Sequence, residues 1–183
     1  MRRSSSSAFA IVLACAGACA HPATGPAAST RAAIERAEAA ELHRDHAGAR
    51  KAYEDAIAHA PDPPSQIFAR REYASTLEAW GEVPAAIAQL EVIVRLDPSN
   101  APSWHDLGIL RHARGDDAGA AVALRQARAL APNDPRPRIA LAALLWSTGD
   151  RTGAAAEYRA LLTLQLPDRV RAKVEWALQQ LQQ

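Results

Sequence analysis

The sequence contains little cysteine, few aromatic residues and no excess of either charge. Among its 183 residues only Cys15 and Cys19 are cysteines, and both lie near the N terminus, which excludes a disulfide-stapled domain. Phe, Trp and Tyr make up 5% of the chain, but hydrophobic residues as a whole make up 49%, which excludes disorder throughout. Lys and Arg number 21 against 20 acidic residues, so the charge does not indicate a nucleic-acid-binding protein.

Short motifs that mark catalytic and phosphate-binding sites are also missing. The sequence has no G-x-S-x-G, no G-x-x-x-x-G-K-[ST] and no G-x-G-x-x-G. His43 and His46 are three residues apart, but no cysteine or well-placed acid completes a tetrahedral metal site with them. Asp116 and Asp117 lie at a predicted turn, where carboxylates cap helix N termini. We therefore expect no catalysis, no cofactor and no metal.

The first 20 residues have the order of a secretory signal peptide. Arg2 and Arg3 form a basic start, residues 8–14 (AFAIVLA) form an apolar run, and small residues continue to Ala20. This run is too short for a membrane-spanning helix, which needs about 20 apolar residues. Residues 21–30 (HPATGPAAST) contain two prolines and a glycine without periodicity, which is typical of a flexible tether.

Two kinds of cleavage remain open at the end of this signal. The segment VLAC, ending at Cys15, resembles the lipobox of bacterial lipoproteins, in which the cysteine becomes the acylated N terminus. The segment AGAC, ending at Cys19, resembles it less well and is the second choice. Alanine rather than aspartate follows both cysteines, so the resemblance implies an outer-membrane lipoprotein that faces the periplasm. Cleavage after Ala20 by ordinary signal peptidase would instead release a soluble periplasmic or secreted chain.

A 34-residue repeat runs through the rest of the chain. Gly81, Gly115 and Gly149 follow one another at this spacing, and an acidic residue comes directly after each. An alanine follows each glycine after five residues and a large apolar residue after nine, and a proline closes each unit. These recurring positions are Ala86, Ala120, Ala154, Leu90, Leu124, Tyr158, Pro98, Pro132 and Pro167. A further unit, with its turn at Arg44 and Asp45, lies 37 residues before the Gly81 turn.

Each unit is predicted to form a hairpin of two helices. In the clearest unit, apolar residues at three-residue spacing predict a first helix over Ala101–Arg114. Gly115 permits the positive φ of a helix end, and Asp116 can cap the next N terminus. Alanines and leucines on one stripe predict a second helix over Asp117–Leu130, which Pro132 ends.

This unit resembles the tetratricopeptide repeat (TPR), whose pattern is W-x2-L-G-x2-Y…A-x3-F…P. The matching residues are Trp104, Leu107, Gly108, Ala120, Leu124, Ala127 and Pro132, whereas Arg111 replaces the usual tyrosine. The resemblance implies an all-α, TPR-like solenoid of four helix-turn-helix hairpins, at 31–63, 64–100, 101–134 and 135–167. A C-terminal helix over 168–183 is predicted to cap the last hydrophobic face. Trp176 lies off its apolar stripe, either at the cap edge or on a contact surface.

In that family the first helices of the repeats line a concave groove that takes peptides or helices. By repeat position the groove residues are Arg71, Ser75, Glu78, His105, Ile109, His112, Ile139, Ala143 and Trp146, with Ile34 and Glu38 from the first unit. The predicted function is therefore a non-catalytic interaction module that binds a protein partner in the bacterial cell envelope, similar to assembly or pilotin-type factors. The alternative is an enzyme or small-ligand-binding subunit with its site in the same groove.

Overall fold

The computed structural model describes residues 26–182, and this range contains nine α-helices and no β-strand. The helices are α1 (Ala28–Leu42), α2 (His46–Ala58), α3 (Pro63–Ala79), α4 (Val83–Leu96), α5 (Ala101–Ala113), α6 (Asp117–Leu130), α7 (Pro135–Ser147), α8 (Arg151–Leu161) and α9 (Asp168–Leu181). The predicted all-α solenoid of four hairpins and a terminal helix is confirmed. Within the described range, every helix falls short of the length or apolar character that crossing a membrane requires.

Part of the N-terminal prediction lies outside the described residues. This part comprises the signal peptide, Cys15, Cys19 and residues 21–25 of the tether. The end of the predicted tether is wrong, because α1 begins at Ala28 rather than after Thr30. The backbone N–H of Ala27 donates to Ser65 Oγ at the start of α3 over 2.9 Å. This contact between residues far apart in sequence helps to order the first turn of α1, and a local pattern of small residues cannot show it.

The turn inside each hairpin contains one residue with positive φ. In the last three hairpins this residue is Gly81, Gly115 or Gly149, with φ between 78° and 86°. In the first hairpin it is Arg44, with φ at 59°. A side chain is strained in this conformation because its Cβ crowds the following carbonyl oxygen. The turn predicted at Arg44 therefore forms without the glycine that the other units use.

Aspartate side chains cap the N terminus of the second helix in three hairpins. The capping residues Asp45, Asp116 and Asp150 each accept a hydrogen bond from the backbone N–H three residues on, over 2.8 to 2.9 Å. In the second hairpin Glu82 takes this position without such a bond. Its carboxylate instead accepts from Arg50 Nη2 of α2 at 2.7 Å. That pair connects the first hairpin to the second.

Each of the helices α1 to α8 packs most extensively against its hairpin partner, and α9 packs on α8. Consecutive hairpins stack through α2 on α3, α4 on α5 and α6 on α7. The repeat positions that are fully buried in these contacts are Ala86, Leu107, Ala120, Leu124, Ala127 and Ala154. Trp104 is only half-buried, and its Nε1 donates to the carbonyl oxygen of Pro98 at 3.0 Å. Pro98 and Pro132 lie exposed in the connections between hairpins. The repeat pattern thus marks core and connections, with Trp104 at the edge of the core.

The first helix of each hairpin lies on the inner side of the curved stack. Among alternate helices of the described chain, α1 packs on α3 and α5 packs on α7, whereas the second helices α2, α4, α6 and α8 do not pack on one another to a comparable extent. Along the inner row, the gaps between α3 and α5 and between α7 and α9 are wider than those between α1 and α3 and between α5 and α7. Cavities of about 310 Å³ and about 570 Å³ open in these two gaps.

Candidate binding groove

The nine groove positions that the repeat predicts in units two to four lie on the inner row, three each on α3, α5 and α7. None of these nine residues is buried. The groove does not extend to Ile34 as the resemblance implied, since this residue is 3% exposed and belongs to the core. The reason is that α1 packs closely on α3 as well as on α2, which leaves no gap beside it.

The gap between α3 and α5 holds a polar pocket. Arg71, Ser75, Glu78 and Glu72 line it from α3, and Asp106 lines it from α5. Arg71 Nη2 lies 3.2 Å from Glu72 Oε1, so the single guanidinium in the pocket already has a partner. Three carboxylates against one guanidinium give this end of the groove a negative charge, which attracts basic groups.

The predicted groove histidines are paired with aspartates of the same chain. His105 Nδ1 lies 2.9 Å from Asp106 Oδ1, and His112 Nδ1 lies 2.6 Å from Asp117 Oδ1 at the start of α6. These pairs hold both rings in place at the middle of the groove. Within residues 26–182, no group of three or more His, Cys, Asp and Glu side chains is placed to hold a metal ion.

The gap between α7 and α9 holds an apolar cleft. Its lining residues are Ile139 and Trp146 of α7, Tyr158 of α8, and Val170, Lys173, Val174, Trp176 and Ala177 of α9. The Trp146 ring meets Tyr158 edge to face, and its centroid lies 6.3 Å from that of Trp176. Trp176 is 59% exposed. It lies at the edge of the cap and is also open to contact, and exposed aromatic side chains of this kind are typical of interaction hot spots.

Most of the α9 wall of this cleft was missed in the sequence, where α9 is predicted as a cap and Trp176 alone is named as a residue at the cap edge or on a contact surface. Val174 and Ala177 do cover the core, being 4% and 5% exposed. A signal was nevertheless present, because Lys173 follows Ile139 by 34 residues and Ala177 follows Ala143 by the same distance. The helix α9 therefore takes the place of an inner helix in a further, incomplete unit. Continuing the repeat into α9 would have identified its groove residues.

Buried polar side chains near the groove hold helices together. Tyr53 of α2 donates from its hydroxyl to Glu41 Oε1 of α1 at 2.6 Å and lies 2.9 Å from Thr76 Oγ1 of α3. Burial raises the pKa of Tyr53 far above its ordinary value because the phenolate would lose its hydration, and the bond to Glu41 adds to this. The phenol therefore stays protonated and joins three helices, which is a structural role.

Curated proteins similar to this chain carry the same repeat in their names. No family model matches the chain. It is 38% identical over 104 residues to the TPR repeat-containing protein PA4299 of Pseudomonas aeruginosa, a match that covers 56% of this chain and 41% of that protein. It is 32% identical over 74 residues to the PEX5-related protein of Homo sapiens, covering 40% of this chain and 12% of that protein. The chain thus spans less than half the length of these two relatives.

Solved structures have the same arrangement of helices. The crystal structure of MamA superposes with a TM-score of 0.70 at 19% identity, covering 84% of this chain and 80% of that chain. The monomeric mutant of IFIT1 with Gppp-AAAA superposes with a TM-score of 0.61 at 17% identity, covering 75% of this chain and 34% of that chain. At such low identity these similarities concern the fold alone.

The fold and the groove define an α-helical repeat protein with an open inner face. Together with the 34-residue spacing, the relatives support a protein of the tetratricopeptide repeat type. Proteins of this type mediate protein–protein interactions and are in general non-catalytic scaffolds.

Proposed function

We propose that the chain is a non-catalytic interaction module whose inner face binds a peptide or helix of a protein partner. The observation that carries this proposal is the pair of tryptophans on the inner side, Trp146 and Trp176, whose ring centroids are 6.3 Å apart. Leaving Trp176 59% exposed beside other apolar side chains is unfavourable in water, and such patches mark interaction sites. A partner that covers this cleft would remove the apolar surface from solvent.

We further propose that the protein works in the bacterial cell envelope as an outer-membrane lipoprotein that faces the periplasm. The support is the order of residues 1–20, with acylation at Cys15 and, as second choice, at Cys19. In this setting an assembly or pilotin-type role fits an interaction module tethered to a membrane. A soluble periplasmic or secreted protein is the alternative that cleavage after Ala20 would produce.

A second candidate function is the binding of a small apolar ligand in the cleft between α7 and α9. Its volume of about 570 Å³ lies within the roughly 300–1,000 Å³ of ordinary ligand sites. The lining is mostly aliphatic and aromatic, with Lys173 as its charged group. An enzyme subunit that uses the same groove belongs to this alternative.

Site-specific photo-crosslinking in cells tests the interaction proposal. A photoreactive residue replaces Ser75, Ile109 or Ala143, which are exposed on α3, α5 and α7. The control position is Val122, which is 60% exposed on α6, outside the inner row. We expect the groove positions to give one shared protein adduct that Val122 does not give. Adducts from Val122 alone would contradict a groove-binding function.

Radiolabelled palmitate and membrane fractionation test the location. We expect the wild-type protein to incorporate label and sediment with outer membranes, and Cys15→Ser to lose both properties. Label that persists in Cys15→Ser and disappears in Cys19→Ser would move the acylation site. A wild-type protein without label in the soluble periplasmic fraction would rule out the lipoprotein.

A further inference from the structure

The charge of the α7–α9 cleft restricts what can fill it. Lys173 is the only charged side chain among its lining residues. None of the ion pairs within residues 26–182 involves this lysine. Two nearby cations are engaged with backbone carbonyl oxygens, Arg151 with Gln180 and Leu181, and Arg171 with Leu162 and Leu164. The ammonium group of Lys173 is therefore placed to meet a carboxylate on whatever occupies the cleft.

The walls of the cleft are two parallel stripes of equal length. On α7 the lining residues Ile139 and Trp146 are seven residues apart, and on α9 Val170 and Ala177 are also seven apart. Seven residues of helix are two turns, or about 10.5 Å. An apolar trough of two turns between helices suits another helix that presents apolar residues at positions i, i+3 or i+4, and i+7.

The two ends of the inner face have opposite charge. The pocket between α3 and α5 carries three carboxylates against one guanidinium, whereas the α7–α9 cleft carries one unpaired ammonium group. A ligand with an acidic group at one end is therefore attracted to the α9 end and repelled from the α3 end. Charge complementarity thus favours an acidic segment at the α9 end of the inner face.

We infer that the α7–α9 cleft binds an amphipathic helix of a partner protein, with its apolar stripe against Trp146 and Trp176 and an acidic side chain paired with Lys173. This inference rests on the proposed interaction function and identifies the chemistry of the partner segment. The apolar stripe supplies affinity by covering exposed aromatic surface, and the carboxylate supplies selectivity.

Two synthetic probe peptides test this inference with the full chain. Both are blocked 18-residue helices with leucine at positions i, i+3, i+4 and i+7 and a fluorescent label. One carries glutamate beside the stripe and the other carries lysine at the same places. Binding is followed by fluorescence anisotropy at low ionic strength. We expect the glutamate peptide to bind at least tenfold more tightly than the lysine peptide.

Matched variants locate the binding. Trp176→Ala should weaken binding of the glutamate peptide at least tenfold, whereas Val122→Ala, at an exposed site on α6, should leave it unchanged. Lys173→Glu should reverse the peptide preference, whereas Lys51→Glu, which alters the other lysine of the chain, should not. We expect all four variants to fold, because these four side chains are on the surface. Circular dichroism of each variant checks this.

Several results would overturn the inference and leave the proposed function standing. If neither peptide binds, or both bind equally, the inference that the cleft binds an acidic amphipathic helix is wrong. Crosslinking from Ser75 or Ile109 would still test whether the groove binds a partner. Binding that Trp176→Ala does not affect would place the contact elsewhere.

Other occupants of the cleft are separate outcomes, and each would also overturn the inference. Concentration-dependent dimerisation in sedimentation, lost in Trp176→Ala, would assign the cleft to a second copy. Binding to vesicles of phosphatidylethanolamine and phosphatidylglycerol, lost in the same variant, would assign it to a membrane.

Discussion

The tight contact between α5 and α6 at Gly108 leads us to predict that a larger residue at this position destabilises the fold. Gly108 is buried in α5, facing the second helix of its own hairpin. A Cβ added there would lie 2.6 Å from Leu124 Cγ, 2.8 Å from Leu124 Cδ2 and 3.3 Å from the carbonyl oxygen of Ala120. Leu124 is 1% exposed and packs in a buried cluster with Ala120, Leu141 and Leu144. Gly108→Ala therefore forces the two helices apart.

The expected loss of stability follows from two opposing effects. Alanine favours the helical backbone over glycine by about 1 kcal/mol. Crowding a methyl group into a packed contact costs about 1–3 kcal/mol. We expect crowding to prevail at Gly108, with a net loss of about 1 kcal/mol in the free energy of unfolding. The Gly108 position thus reverses the usual effect of this substitution in a helix.

Urea denaturation followed by circular dichroism measures this loss as a lower midpoint at unchanged m value. The matched control is Ala142→Gly, which makes the reverse change at the same repeat position of α7, where Ala142 is fully buried. It should also destabilise, by about 1 kcal/mol or more, since it loses both helix propensity and a buried methyl group. A Gly108→Ala variant more stable than the wild type would refute the close approach of α5 to α6 at this position.

Three further predictions concern the turns, the core edge and acid stability. Arg44→Gly should raise the free energy of unfolding by about 0.5–1 kcal/mol in the same assay, because glycine relieves the strain of φ 59°. Trp104→Ala should cost about 2 kcal/mol rather than the 3–5 of a fully buried ring, since Trp104 is half-buried; a loss below about 1 kcal/mol would contradict its place against the core. Hydrogen bonds from Arg136 hold the pKa of Asp134 below its usual value, so this carboxylate stabilises the fold above its unfolded pKa of about 3.9 and ceases to do so as the pH falls through the lower folded value. Asp134→Asn should therefore flatten the fall in melting temperature below pH 4, and an unchanged acid slope would contradict this account.

Local pattern was enough to predict most of the hairpins. The prediction of a helix over Asp117–Leu130 coincides with α6, and the turn glycines adopt the expected positive φ. These features depend on interactions between residues close in sequence: the helical period, the capping of N–H groups and the freedom of glycine. The start of α1 depended on a contact with a distant segment, the hydrogen bond from the Ala27 N–H to Ser65 Oγ, and there the local pattern failed.

The sequence by itself determined the repeat, the helices and the turns, because each follows from a period of 34 residues and from short-range chemistry. Only the tertiary structure decided how widely neighbouring inner helices are spread. That spacing places Glu78 opposite Asp106 across one gap and Trp146 beside Trp176 across another. Side chains from helices far apart in sequence form these two sites, and their separation depends on how the whole stack packs.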